Sequence, residues 1–296
     1  MQAKYQLEST SIPGEIHITE VLDISTRGDG RHMILKVIHK ERPMVLKCYG
    51  LKRSIIRTII KRFGYFMVEG KSSFSASGRF KTEREVLELW RREGFDVPQL
   101  FFPDFLSKMS MPCLAMEWIP GKTLAKVFQD RELPLSRKKE LIEKFAGVLG
   151  NRHAKASELK EYRFIFGHPT FSHVMLSEDR MVHFDFEIVY RKGHMESIIR
   201  REIAGFIYSL AKSSKSQFPD LLKTMVSAYP DHSRIGLAIN ELQQYGTVPI
   251  IGLLKIFFKY FNRSKRYRRR ISAVGLAFNK PYLDSGNSKK KSGFKD

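Results

Sequence analysis

Cysteine is scarce in this sequence, with Cys48 and Cys113 the two cysteines among 296 residues. Two cysteines cannot build a disulfide framework or a four-cysteine zinc finger, and both stand in apolar segments, as buried free thiols do. Long apolar runs are also lacking: no stretch of ~18 uncharged apolar residues occurs, so no membrane-spanning helix is predicted. The opening segment MQAKYQLEST lacks the apolar region of a signal peptide. We therefore expect a protein of a reducing compartment that is either soluble or peripheral.

Acidic residues are few relative to basic ones. The chain has 31 Asp and Glu against 52 Lys and Arg, which gives a formal net charge of +21. An excess this large indicates an anionic partner, and nucleic acid, an anionic membrane surface and a phosphorylated or acidic substrate all fit it. Hydrophobic residues at 42% and charged residues at 28% are typical of a globular chain and exclude a wholly disordered one.

The order of predicted elements indicates the fold class. Alternating patterns predict a strand meander over residues 15–49, and a helical pattern follows over residues 80–93 and stops at Gly94. Residues 97–106 and 111–118 are predicted as two further strands. A helical region is then expected over about 122–153, a strand over 181–186, and helices from about 196 onward.

These elements predict an α+β fold with two lobes. Its N-terminal lobe is an antiparallel sheet with one helix, over residues 1–118, with a basic insert at about 51–79. Residues 119–283 form the mostly helical C-terminal lobe with the catalytic loop and a basic C-terminal segment. Residues 284–296 are predicted to be a disordered tail.

Phosphoryl transfer requires a lysine that holds the nucleotide phosphates, a glutamate that orients this lysine, and an aspartate that holds the metal. Lys47 ends a predicted strand shortly after the turn glycines Gly28 and Gly30, which is where a nucleotide-binding lysine is expected. Glu83 on the following helix is its predicted ion-pair partner. Glu85, on a different face of that helix, is the alternative.

Two later segments complete this pattern. Residues 116–124, MEWIPGKTL, are similar to the hinge of kinase-like enzymes, so the backbone at Glu117 and Ile119 is predicted to meet the adenine. Asp185 closes an apolar strand, as the metal-binding aspartate of a D-F-G motif does. Each feature alone is common, but their order along the chain favours a kinase-like protein over a chance arrangement.

The loop before Asp185, residues 166–176, reads FGHPTFSHVML. His168 and His173 stand where kinase-like enzymes have a catalytic aspartate and, five residues later, a metal-binding asparagine. A D-x-x-x-x-H-x-x-L loop is found in the bacterial lipopolysaccharide core kinases, which phosphorylate heptose or the octulosonic sugar of the inner core. Residues 173–176 resemble that loop, and residues 201–210, REIAGFIYSL, resemble the family's R-D-L-A-x-L-x-x-S helix. Residues 78–80, Gly-Arg-Phe, are similar too, and the resemblance spans roughly residues 20–215.

The resemblance implies an ATP- and Mg²⁺-dependent kinase that phosphorylates a sugar of a lipopolysaccharide-type glycolipid, peripheral at the cytoplasmic face of the inner membrane. It also implies that Asp185 and His173 bind the metal. His168 replaces the family's catalytic aspartate. A neutral imidazole, with an ordinary pKa near ~6.5, can accept the proton of an acceptor hydroxyl, so His168 is the predicted base.

The histidine in place of the aspartate leaves a second hypothesis open, a pseudokinase that binds nucleotide or an anionic partner without turnover. A substitute carboxylate near the γ-phosphate would favour the enzyme again, and three residues are candidates for it: Glu158, Glu161 and Glu187. A zinc site from His168, His173 and His183 is a further alternative, although no regular spacing supports it.

Two basic segments are candidate anion-binding surfaces. One lies in the insert, with Arg53, Arg57, Lys61 and Arg62. The other is the run over residues 263–270, beside the aromatic residues of 257–261. Interleaved aromatic and basic residues suit an anionic lipid surface, where each basic residue contributes ~1 kcal/mol. The same residues could follow a nucleic-acid backbone, so a nucleic-acid-associated kinase-like protein is a third hypothesis, supported by charge alone.

Overall fold

The computed structural model describes residues 16–24, 32–50 and 75–245. Within these ranges the chain forms two compact units. The N-terminal unit comprises the described residues up to Lys122, together with residues 158–168 and 173–194. The C-terminal unit comprises residues 123–157 and 169–172 and the described residues from Met195. Several predicted features lie outside the described residues: the turn glycines Gly28 and Gly30, residues 51–74 of the basic insert, the basic C-terminal segment and the tail.

A five-stranded antiparallel sheet organises the N-terminal unit, in the order β1-β2-β3-β5-β4. Its strands are β1 (His17–Ile24), β2 (His32–His39), β3 (Arg42–Tyr49), β4 (Leu100–Phe101) and β5 (Cys113–Glu117). The first three form the meander predicted for residues 15–49. Apolar side chains alternate along β2 and β3, so one face of the sheet carries a core that includes Leu35, Val37, Leu46 and Cys48.

Helix α1 (Ala76–Arg92) begins four residues before the predicted start at residue 80. The reason is an N-cap: the Ser75 hydroxyl accepts a hydrogen bond of 3.0 Å from the backbone N–H of Gly78. The buried face of the helix carries Trp90, which is fully buried, and two charged residues, Arg79 and Glu83. The helix therefore places charge, as well as apolar surface, in the interior of the unit.

The strand predicted over residues 97–106 is wrong over most of its length. Strand β4 comprises only Leu100 and Phe101, and a 3₁₀ helix (Asp104–Lys108) follows. Proline has no backbone N–H to donate to a sheet, and Pro98 and Pro103 flank the short strand. The strand predicted over residues 111–118 is shorter in the structure, because β5 spans five residues.

A second sheet has three strands, in the order β6-β7-β8. Its strands are β6 (Lys122–Thr123), β7 (Val174–Ser177) and β8 (Arg180–His183). Strand β8 ends three residues before the predicted end at residue 186. The chain leaves the extended conformation there, and Asp185 has a φ of 72°.

The C-terminal unit is helical. Its helices are α2 (Leu124–Gln129), α3 (Leu135–Leu159), α4 (Met195–Ser214), α5 (Phe218–Ala228) and α6 (His232–Tyr245). The helical region predicted over about 122–153 is thus two helices, interrupted at residues 130–134 and ending later. Phe145, Phe171 and Phe206 pack edge to face or tilted in its core, with ring centroids 4.8–5.3 Å apart.

The chain is therefore of the α+β class, with an N-terminal antiparallel sheet and a helical C-terminal part. Across the described ranges, none of the helices combines the length and apolar character that crossing a membrane requires.

Candidate functional site

Lys47 lies at the centre of the site, on strand β3. Because side chains alternate along a strand, Lys47 and Tyr49 project from the face opposite to the core residues Leu46 and Cys48. The Lys47 side chain is 3% exposed. A buried ammonium is costly unless it is paired. Here the charge is compensated by three carboxylates, those of Glu83, Asp185 and Glu187, at 2.7, 2.9 and 3.1 Å from Nζ.

Glu83 is the partner that the sequence predicted for Lys47, and it comes from the buried face of α1. Its carboxylate also accepts a hydrogen bond from the Tyr49 hydroxyl. Burial raises the pKa of Glu83, Lys47 opposes this, and Asp185 and Glu187 raise it further, so the pKa lies above its ordinary value. Glu85, the alternative partner, is half-buried and pairs with Lys81 and Arg163 instead.

Asp185 follows strand β8 in a left-handed backbone conformation, which costs ~1–3 kcal/mol for a residue other than glycine and is common at functional sites. Its two oxygens face different partners. Oδ1 accepts a hydrogen bond from Lys47, whereas Oδ2 lies 3.4 Å from Nε2 of His173. Burial raises the pKa of Asp185, but Lys47 and His173 together outweigh burial and hold this pKa well below its ordinary range.

Glu187 is the carboxylate, among the three proposed as substitutes, that reaches Lys47. Its other oxygen accepts a hydrogen bond of 2.8 Å from Arg79, which is 4% exposed. Glu161 instead pairs with Arg163, and Glu158 is exposed. Sequence reasoning assigned no role to Arg79, although Gly-Arg-Phe at residues 78–80 was among the resemblances.

We call Lys47, Arg79, Glu83, Asp185 and Glu187 the Lys47 cluster. Two positive and three negative side chains give it a net charge of −1, with Tyr49 neutral because burial raises the pKa of its hydroxyl. The ammonium of Lys47 already occupies the position among the three carboxylates that a metal would need. A polyphosphate that approaches this cluster meets net negative charge and requires an accompanying cation.

His168 and His173 flank a loop whose last turn is a 3₁₀ helix (Phe171–His173). A Cβ at Gly167 would lie 2.1 Å from the carbonyl oxygen of Ile188, so only glycine fits immediately before His168. The two imidazole rings lie 4.9 Å apart between centroids. Each of the two histidines and Asp185 offers one metal-ligating atom, and these three atoms lie within 4.8 Å of one another. His183, in contrast, packs against Trp90, with ring centroids 5.4 Å apart.

The predicted hinge residue Glu117 bonds to Gln99 and Arg180. The N–H of Glu117 donates to the carbonyl of Gln99, and its carboxylate accepts hydrogen bonds from Gln99 and Arg180. The side chain of Glu117 therefore holds the end of β5 in place. Ile119 is 7% exposed and packs in the apolar interior after that strand.

A Mg²⁺ ion fits only part of the donor set in this site. Mg²⁺ prefers oxygen ligands, and the carboxylate of Asp185 supplies one. The other two metal-ligating groups beside it, on His168 and His173, supply nitrogen. The set can hold a divalent cation, but it is not an oxygen cage.

No protein-family model matches this chain, and no curated protein matches it.

Proposed function

We propose that this chain has a protein-kinase-like fold and transfers the γ-phosphoryl group of ATP to a hydroxyl group of an acceptor. The observation that carries the proposal is the buried ammonium of Lys47, held by Glu83 of α1 and by Asp185 after β8. Phosphoryl-transfer sites of the kinase type bring the phosphate-holding lysine, its glutamate and the metal-holding aspartate together in this way.

In the proposed reaction the acceptor oxygen attacks the γ-phosphorus, and the bond from phosphorus to the β–γ bridging oxygen breaks. The hydroxyl proton passes to the neutral imidazole of His168, and ADP leaves with its new terminal charge. Lys47 holds the phosphates, and Glu83 keeps its ammonium in position. A divalent cation, when bound, offsets the phosphate charge, and Asp185 with His173 would hold it.

For the acceptor we propose a sugar of a lipopolysaccharide-type glycolipid at the cytoplasmic face of the inner membrane. Two features support this choice: the resemblance of residues 173–176 and 201–210 to the lipopolysaccharide core kinases, and the net charge of +21. A polyanionic acceptor embedded in an anionic surface would be attracted by such a charge.

Acceptor-stimulated ATP turnover by the full chain tests the proposal, measured with and without a purified inner-core glycolipid. Asp185→Asn and Lys47→Met are each expected to reduce turnover by ~10²-fold or more, because each removes a charge that acts on the transferring group. Glu85→Gln, on a different face of α1 from Glu83, is the matched control and should retain the wild-type rate. Turnover that survives both site variants would contradict the proposal, and stimulation by RNA instead of glycolipid would contradict the proposed acceptor.

Nucleotide binding without turnover is the second candidate, and one observation favours it. Glu187 stands where a D-F-G motif has glycine, and its carboxylate lies 3.1 Å from Nζ of Lys47. A carboxylate in that position competes with the nucleotide phosphates for the ammonium. Glu187→Gly is therefore expected to bind ATP more tightly than the wild type. Tighter binding with no turnover in either protein would support the second candidate over the first.

A further inference from the structure

We infer that His168, His173 and Asp185 form a binding site for a divalent transition-metal ion, and that this site prefers Zn²⁺ and Co²⁺ to Mn²⁺ and to Mg²⁺. This ion would be the cation that acts in phosphoryl transfer, so its catalytic role rests on the proposed function. Binding of the metal itself can be measured without nucleotide or acceptor.

The hairpin of β7 and β8 brings the three ligands together. His173 directly precedes β7, and Asp185 comes two residues after the end of β8. Val174 pairs with His183 across the hairpin, and the N–H of Phe184 donates a hydrogen bond of 3.1 Å to the carbonyl of His173. Backbone pairing along the hairpin therefore fixes the distance between His173 and Asp185.

The hydrogen bond of His173 determines which of its nitrogens can bind a metal. Nδ1 lies 3.3 Å from the carbonyl oxygen of His168, and because that oxygen can only accept, Nδ1 carries the proton. Nε2, which lies 3.4 Å from Oδ2 of Asp185, is then the nitrogen left to bind a metal ion. Metal-ligating histidines characteristically donate their other N–H to a carbonyl or carboxylate in this manner.

The spacing of the two acceptor atoms fits a shared metal ion. Ligands at ~2.0–2.2 Å from a tetrahedral ion lie ~3.3–3.6 Å from each other, and the observed separation of Nε2 and Oδ2 is 3.4 Å. The second oxygen of Asp185 is held by Lys47 at 2.9 Å, so the ligating carboxylate is also oriented by a neighbour. His168 is exposed and completes the set from the solvent side when no acceptor is bound, and it has to leave the ion before its imidazole can accept a proton from the acceptor.

The donor atoms decide which cation binds most tightly. Two imidazole nitrogens and one carboxylate oxygen suit Zn²⁺, Co²⁺, Ni²⁺ and Fe²⁺, and affinity for such sites rises from Mn²⁺ to Co²⁺ along the first-row series. Mg²⁺ binds oxygen ligands almost exclusively and keeps several of its waters. Three protein ligands also leave positions open for water or phosphate oxygens, as catalytic metal sites do.

Titration of Co²⁺ into the tag-free full chain, without nucleotide, tests this inference, because Co²⁺ bound by imidazole in a low-coordinate site gains visible absorption bands. Zn²⁺ is expected to displace Co²⁺ at the lowest concentration, Mn²⁺ at a higher one and Mg²⁺ least effectively. His173→Gln and His168→Gln should each weaken Co²⁺ binding at least ~10-fold, since loss of a mere outer-shell contact costs ~10–100-fold. Far-ultraviolet circular dichroism would verify that both variants are folded.

His194→Gln is the control, because His194 is an exposed histidine of the same unit and lies outside the ligand set. Equal losses in the His194 and His173 variants, or displacement by Mg²⁺ as effective as by Zn²⁺, would overturn the inference. So would the absence of the Co²⁺ bands in the wild type, even if Mg²⁺ supported ATP turnover and thereby the proposed function. Tight Co²⁺ binding in a chain that never turns over ATP would uphold the metal site and contradict that function.

Discussion

Replacing Lys47 with methionine removes the ammonium that Glu83, Asp185 and Glu187 share. Methionine fills a similar volume, so the main change is electrostatic. Glu83 is 1% exposed, and one of its carboxylate oxygens lies within 4.8 Å of an oxygen of each of the other two carboxylates. Removing one partner of a buried ion pair costs ~3–5 kcal/mol of unfolding free energy. For domains of ~150–250 residues, each kcal/mol lowers the melting temperature by ~2–4 °C, so we expect a fall of ~6–20 °C.

The free energy of unfolding that Lys47→Met loses should also depend on pH. Without the ammonium, the three carboxylates repel one another, and their pKa values in the folded variant rise above the unfolded values. A raised carboxyl pKa means that the folded state binds more protons, so the variant gains stability as pH falls. In the wild type, the pKa of Asp185 is depressed, with burial outweighed by Lys47 and His173, so this residue loses stabilisation as pH falls below ~4. The two effects have opposite signs, and the difference between variant and wild type must shrink on acidification.

Urea denaturation at about pH 7 and at about pH 5 measures the free energy of unfolding that Lys47→Met loses and how this loss changes with pH. Lys36→Met is the matched control, because Lys36 is half-buried on the neighbouring strand β2, with its ammonium 4.2 Å from the centroid of the Trp118 ring. Its loss should cost ~0.5–1 kcal/mol, the value of an exposed cation–π contact. Equal destabilisation by the two substitutions, or a Lys47→Met deficit that does not shrink with acid, would refute the electrostatic account of the cluster.

Three further predictions follow from other parts of the structure. Burial lowers the pKa of His153, and Glu202 opposes this. The unfolded chain therefore binds a proton near pH ~6.5 that the folded chain does not, so the free energy of unfolding should fall as pH drops below that value. His153→Gln should flatten this part of the plot of urea midpoint against pH. Gly121 has a φ of 138°, and a Cβ there would lie 2.0 Å from the carbonyl oxygen of Leu176. Gly121→Ala should therefore lower the free energy of unfolding by more than ~1 kcal/mol, measured by thermal unfolding. The control Gly147→Ala, whose Cβ would meet nothing within 4 Å, should be neutral or stabilising. Both cysteine thiols are buried, so a thiol reagent should react with them only in denaturant; rapid reaction of the native chain would show that the β3–β5 region opens.

The parts of the fold that could be predicted from the sequence depend on local pattern. Alternation along residues 15–49 predicts the meander, because the core residues of β2 and β3, among them Leu35, Val37, Leu46 and Cys48, recur at every second position. The pairing of Glu83 with Lys47 could also be anticipated, since helical periodicity places Glu83 and Glu85 on different faces of α1. The strand predicted over 97–106 was wrong because Pro98 and Pro103 interrupt backbone pairing, which apolar content alone does not reveal.

The parts of the site that sequence reasoning missed depend on contacts between distant residues. Arg79 and Glu187 are 108 positions apart, and no local pattern indicates that a buried arginine on α1 will hold a carboxylate beyond β8. The left-handed backbone conformation at Asp185 is likewise a tertiary effect. The two carboxylate oxygens of Asp185 face Lys47 on β3 and His173 before β7, which are distant from each other in sequence. His173 could be identified by its resemblance to a kinase loop, but its hydrogen bond to the carbonyl of His168 could not.

The most direct test of the central claim, that the buried Lys47 is a nucleotide-phosphate ligand, is equilibrium binding of a fluorescent ATP analogue to the folded full chain. We expect the wild type and Glu85→Gln to bind the analogue alike, and Lys47→Met to weaken binding at least ~10-fold, which corresponds to the loss of one charge-assisted hydrogen bond. Equal affinity of Lys47→Met and the wild type would contradict the claim and leave the Lys47 cluster as a structural ion-pair network.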